Sequence, residues 1–165
     1  MSIDWHDLRK VDLDFLDTAE KTYVCEATLN APRGAVWDAF ADPSSWCHWF
    51  PGVEKASYGD SVAPFGVGTF RESWVAGQRY QEIMLAWNEP HRWGYYIERA
   101  TVPVARAQIE MHEFEEHGSG TLARWIVATD PLEDLAFMAD GTPFDQFLSQ
   151  LFADAMAGLD RHLAR

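Results

Sequence analysis

Arg71, Glu72, Ser73, Tyr80 and Glu82 stand close together in the chain, and Tyr95, Tyr96, Glu98 and Arg99 follow. A carboxylate, a phenol and a guanidinium turned into one apolar pocket could act on an enolisable or carbonyl-bearing substrate. Burial raises the pKa of a carboxyl group in such a pocket, the usual arrangement for a general acid or base. Arg71, Glu82, Tyr95 and Arg99 are the candidates for that role. The competing reading turns charged strand residues to solvent, and a one-residue slip of register reverses every assignment.

Other chemistries find less support. Six histidines invite a metal site, yet there is no His-Glu-x-x-His and no Cys-His pairing at finger spacing, so no metal is expected. Cys47 and His48 are neighbours, which sends their side chains to different parts of a helix. Cys25 and Cys47 form neither a disulfide framework nor a Cys-x-x-Cys motif and read as buried free thiols. No Gly-x-Ser-x-Gly elbow is present. Gly66 and Gly68 precede a strand pattern, not the helix a dinucleotide fingerprint needs, so no cofactor is implied.

Two short helices and a meander must position the candidate residues. Asn30 can cap a helix with Pro32 in its first turn, and Val36, Ala39 and Phe40 give it an apolar face. Asp42 can cap a second, with Pro43 at its first position. That segment ends at Pro51-Gly52 and carries Trp46, Trp49 and Phe50, more aromatic surface than a short helix can bury on itself. A strand over about 22–29 precedes the pair. Turn residues between 53 and 130 then separate runs at 69–75, 79–87, 93–99, 105–115 and 121–129, rich in Tyr, Trp, Phe, Ile and Thr as strands prefer. Along 105–112, Ala105, Ala107, Ile109 and Met111 alternate with Arg106, Gln108, Glu110 and His112, which predicts one dry and one wet face.

The last element is the clearest. Thr142 caps, Pro143 takes the first position and Asp145 favours the helix dipole. From Phe144 to Leu163 the apolar residues then hold helical spacing for five turns. An antiparallel sheet with one apolar face must cover it, and only this helix is long enough. The expected fold is α+β: a curved antiparallel sheet of about six to seven strands wrapped on a long C-terminal helix, with two short helices after the first strand. Residues 1–21 read as an acidic N-terminal extension packed through a few apolar side chains, and 22–165 as the domain.

Composition bounds the partners. At 165 residues one domain can bury roughly 70% of its unfolded surface. Eight tryptophans demand either an aromatic core or an aromatic-lined cavity. A net charge of −13 argues against nucleic acid and against anionic lipid surfaces. No apolar run is long enough for a membrane span, and the N-terminal residues lack a signal-peptide pattern, so a cytoplasmic location is expected.

Segments 30–53, 68–98 and 118–131 resemble, in order and spacing, the START-like (SRPBCC, helix-grip) superfamily, and within it the polyketide cyclase/dehydrase-like branch. The matching positions are Ala31-Pro32, Val36-Trp37, Asp42, Trp49 to Gly52, Trp87 to Arg92 and Gly120 to Trp125. Asn88-Glu89-Pro90 departs from the double proline common at that turn. The resemblance implies a cavity between sheet and helix, and it sets a register. Met84, Ala86, Trp93, Tyr95 and Ile97 should face in, joined by Ala107, Ile109 and Met111, with Trp125 and Val127 opposite. Phe147, Leu151 and Met156 would complete the wall, and Trp46, Trp49 and Phe50 would close one end. A plain hydrophobic core would need the same residues.

Three functions follow as expectations. The first is binding of a small hydrophobic or aromatic molecule, polyketide-like or lipid-like, in an internal cavity. The second is a polyketide aromatase/cyclase or dehydratase-type enzyme that uses the acid–base residues of the same cavity. The third is a protein-interaction module, with Leu135, Phe137 and Met138 as an adhesive patch. The chain could act as a monomer or a homodimer.

Overall fold

The computed structural model describes residues 2–133 and 136–165. A two-residue strand β1 (His6–Asp7) and a one-turn helix α1 (Phe15–Thr18) come first. Strand β2 (Lys21–Leu29), helix α2 (Arg33–Ala41) and a 3-10 helix (Pro43–His48) follow. The meander is β3 (Val53–Ser57), β4 (Phe70–Val75), β5 (Gln78–Asn88), β6 (Arg92–Ala100), β7 (Ala105–His117) and β8 (Gly120–Pro131), and α3 (Phe144–Leu163) ends the fold. The strands form one antiparallel sheet in the order β2-β8-β7-β6-β5-β4-β3, with β1 added on β6. This is the helix-grip arrangement: a curved sheet closed around α3.

Helix α3 buries Leu148, Phe152, Ala155, Met156 and Leu159, a stripe at helical spacing, against the concave face. Its first turn carries Asp145 and its last Arg161 and His162, matching the helix dipole. Two expected caps are replaced. Pro143, not Thr142, stands at the N-cap of α3, and Pro32 at that of α2. Asn30 instead binds α3: its backbone N–H donates to Asp160 at 2.9 Å, and Ala31 does the same at 3.1 Å. One carboxylate thus ties the α2 entry to the helix end. Asp42 does cap the 3-10 helix, accepting from Ser44 N at 3.0 Å.

The aromatic block of that 3-10 helix sits in the core. Trp46 Nε1 donates to Phe40 O and Trp49 Nε1 to Ser45 Oγ, both at 3.0 Å. Phe40 stacks edgewise on Trp46 and Trp93 at centroid distances of 5.2 and 5.9 Å. Cys25 is buried, but Cys47 is exposed: on this short helix it lies opposite the buried Ser45 and Trp46.

The sheet has two dry faces, which corrects the expected register. From Ala107 on, alternation along β7 is as read with the faces exchanged, while a bulge between Ala105 and Ala107 leaves Ala105 in the main core. Ala107, Ile109 and Met111 lie on the outer face with Tyr96 and Ala128, while Glu110 and His112 face α3. The physical reason is a second cover. Phe15 of α1, with Val11, Leu16 and Ala19, packs over the outer face and buries it. Two β-bulges flip further residues. Leu85 is the extra residue between the pairs Met84↔Tyr95 and Ala86↔Gly94, so Ala86 turns out while Met84 stays in. On α3, Phe147 is 37% exposed rather than inward, since it lies one residue ahead of the buried Leu148 stripe.

The N-terminal segment also seals the sheet. Pairing of β6 with β7 ends at Tyr96↔Ile109. Beyond it β1 takes the free edge of β6, and Leu8 N and Arg9 N donate to Glu98 O and Arg106 O at 2.9 and 2.7 Å. Leu8 passes through this gap to join the main core.

Candidate functional site

Between the concave sheet face, the 3-10 helix and α3 lies a hollow of about 190 Å³. Trp46 and Phe50 close one end, and Leu151 comes from α3. From the sheet, β4 supplies Arg71 and Ser73, β5 Tyr80 and Glu82, and β6 Tyr95 and Ile97. Glu110 and His112 of β7 and Trp125 of β8 complete the wall. A second hollow of about 520 Å³ shares Val104, Gln108, Glu110 and Trp125 with the first and continues past Tyr23, Phe144 and Leu148 toward the surface. Side chains one strand apart thus meet across a space that a ring-bearing molecule could fill.

The inner end is polar and wired. Arg71 and Glu82, 1% and 2% exposed, form an ion pair, and Ser73 Oγ donates to Glu82 Oε1 at 2.9 Å. The Arg71 guanidinium lies 4.5 Å from the Trp46 ring centroid and 5.4 Å from those of Trp93 and Tyr95. Burial pushes the Glu82 carboxyl above its ordinary range, and Arg71 partly opposes the rise. For Arg71 burial works against the charge, but Glu82 outweighs it and the guanidinium is held more firmly protonated.

Glu110 has neutral partners. Tyr95 Oη donates to its Oε2 at 2.9 Å and Gln108 Nε2 to its Oε1 at 3.0 Å. Burial raises the Glu110 carboxyl as well, opposed by those two donors. Tyr95 is pushed well above the usual phenol range, by burial first and then by Glu110, so it acts as a hydrogen-bond donor. His112 is 1% exposed, and both its ring nitrogens lack a partner, as does Trp125 Nε1. Its ring lies nearly parallel to Trp125, 6.0 Å between centroids. Burial, then Arg71, lowers the His112 pKa to about 3, so the imidazole is neutral.

Of the four acid–base candidates, Arg71, Glu82 and Tyr95 meet here and Arg99 does not. Glu98 is an extra residue between the pairs Gln81↔Arg99 and Glu82↔Ile97, and this bulge turns Arg99 to the other face. There its Nε donates to Gln81 Oε1 at 2.6 Å, and its guanidinium lies 4.8 Å from the Trp5 ring. Trp46, Phe50, Tyr95, Ile97, Trp125 and Leu151 line the inner hollow. Trp49, Met84, Trp93 and Met156 are buried in the core behind it. Ile109 and Met111 lie on the outer face and Phe147 at the surface, so none of the three reaches the cavity. The alternation along β7 reads Gln108, Glu110 and His112 as part of its wet side. Their alternation was visible, and only the choice of face was missing. Of the apolar connector, Leu135 lies outside the described residues, while Phe137 is exposed and bridges to Pro143.

Residues 22–164 match the family described as polyketide cyclase / dehydrase and lipid transport. No curated protein matches the sequence. Among solved structures, the ginseng major latex-like protein 151 from Panax ginseng is 11% identical, with a TM-score of 0.69 over 88% of this chain and 98% of that one. Protein Ms6760 from Mycobacterium smegmatis is 21% identical, with a TM-score of 0.62 over 98% of both chains. DynU16, a putative protein in the dynemicin biosynthetic locus, is 15% identical, with a TM-score of 0.65 over 88% of this chain and 48% of that one. At these identities the structures show a common fold. Among the described residues no helix is long and apolar enough to cross a membrane.

Proposed function

This chain belongs to the polyketide cyclase / dehydrase and lipid transport family, and we propose that it binds a small, largely apolar ring-bearing molecule between its sheet and α3. One observation carries the reading. The concave face is hollow where a stability core would be filled, and its wall keeps buried polar atoms without a partner, Arg71 Nε, both ring nitrogens of His112 and Trp125 Nε1. The inner space is comparable to an engineered cavity of about 150 Å³ that takes up benzene. The outer space offers room for the rest of a larger ligand. Apolar burial on Phe50, Ile97, Leu151 and Trp125 would supply affinity, and the polar end would fix orientation.

Val104 tests this, because it borders both hollows and is only half-buried. Val104→Trp should block the passage, weakening uptake of a neutral apolar fluorophore about tenfold or more, a loss of about 1.4 kcal/mol, while the melting temperature moves little. Fluorescence titration of both proteins is the measurement. Equal affinity in the two, or no uptake by either, would sink the reading.

A second reading, an aromatase/cyclase or dehydratase, is favoured by the carboxyls of Glu82 and Glu110. Both face the cavity and are held above their ordinary range, where a carboxyl can serve as a proton donor. Its acid–base set would be Glu110, Tyr95, Glu82 and Arg71, without Arg99.

A further inference from the structure

The walls of the cavity do not balance their own charge. The inner hollow holds one guanidinium, Arg71, and it is already joined to Glu82. Glu110 is left with Tyr95 and Gln108, which both donate to it, and with the nearby Trp125 indole, none of which carries a charge. Among the described residues lining the two hollows there is no second cation, while Glu133 adds a further carboxyl at the outer one. Two residues along the same face of β7, about 6.6 Å away at strand spacing, His112 presents ring nitrogens that nothing satisfies. The surrounding surface is aromatic, with Tyr80, Tyr95 and Trp125 lining the same space.

We propose that the ligand of this cavity carries a protonated amine on an aromatic or apolar body, its ammonium group seated between Glu110 and His112. The inference rests on the cavity-binding reading above and deepens it. An ammonium has several N–H donors: one reaches the Glu110 carboxylate, and another reaches the unprotonated ring nitrogen of His112. Its charge brings the inner hollow to neutrality, and the faces of Tyr80, Tyr95 and Trp125 favour a cation further. A neutral alcohol of the same shape leaves Glu110 sealed without a counter-charge. A carboxylate ligand adds a second uncompensated anion and is rejected.

Three probes of one shape separate these cases: naphthylmethylamine, naphthylmethanol and naphthoate, titrated calorimetrically into the full chain at neutral pH. The amine should bind about tenfold or more tightly than the alcohol, as expected for a hydrogen bond to a charged group, and naphthoate should bind most weakly. In Glu110→Gln, which keeps the side-chain shape, the preference for amine over alcohol should fall to near unity. A melting curve of the unliganded variant verifies that it is folded. Alcohol binding as tight as amine binding in the unaltered protein overturns the inference and leaves the cavity reading standing. So does an amine preference that survives in folded Glu110→Gln. If none of the three probes binds, the cavity reading falls and the inference with it.

Discussion

His112 is one of the most deeply buried polar residues of the cavity wall. Packed between Trp125, Trp93 and Phe40, it has a pKa lowered to about 3, against about 6.5 in an unfolded chain. The folded state therefore binds fewer protons there than the unfolded one. The resulting stability is complete above about pH 6.5 and is lost as pH falls from there toward 3. Glu82 and Glu110 act in the opposite sense. Their raised pKa values add stability that is complete below about 4.5, the unfolded value, and is lost as pH rises through the folded one. His112→Phe keeps a ring in the aromatic cluster and removes the titration. Between about pH 7 and about pH 5 this variant should lose less melting temperature than the parent, or gain some. Equal changes in both proteins would show that His112 does not set the acid response. The polar end of the cavity was legible as residue types, since Arg71, Glu82 and Tyr95 were named from the sequence. Its other half was not, because a Glu and a His alternating with apolar residues look like a solvated strand face.

Among the elements, the contact between α3 and the end of the 3-10 helix leaves no room for a side chain. Gly158 of α3 faces the Trp49 carbonyl, and a Cβ there would stand 2.5 Å from that oxygen. Glycine to alanine inside a helix ordinarily stabilises by about 1 kcal/mol. Here the new methyl would push α3 off the backbone that follows Trp46. Gly158→Ala should therefore lower the melting temperature, and a rise would mean that the helix can shift freely. The bulges at Leu85 and Glu98 belong to this scale too. Each inserts a single residue and reverses which side chains beyond it face inward, so Ala86 and Arg99 leave the cavity face. Period-two reading along β5 and β6 is correct up to each bulge and inverted after it.

Across the whole molecule, the sheet is covered on both faces, by α3 within and by the N-terminal segment without. Phe15 is the main anchor of the outer cover, buried with Tyr96, Ile109 and Met111. Phe15→Ala should cost about 3–5 kcal/mol, read as a lower urea midpoint, because a large ring is removed from a closed site. Affinity for a neutral apolar fluorophore should be unchanged, since this core lies on the far side of the sheet from the hollow. A coupled loss of affinity would show that the outer cover shapes the cavity. The segment outside the family match thus supplies a layer of the fold, and Leu8 reaches the main core through the gap between β6 and β7.

The sequence by itself determined the element order, the long amphipathic helix, the meander and the aromatic block at Trp46, Trp49 and Phe50. Those features are local: helical spacing, strand alternation, and turns marked by Gly and Pro. It also supplied the identities of Arg71, Glu82 and Tyr95. Only the tertiary structure decided which face of β7 looks inward, because both faces of the sheet are buried and alternation alone cannot rank two dry sides. It also decided that Arg99 leaves the site and that Glu110 and His112 enter it. Those outcomes depend on the bulge at Glu98 and on a cover contributed from the far end of the chain, contacts between residues that sequence spacing does not relate.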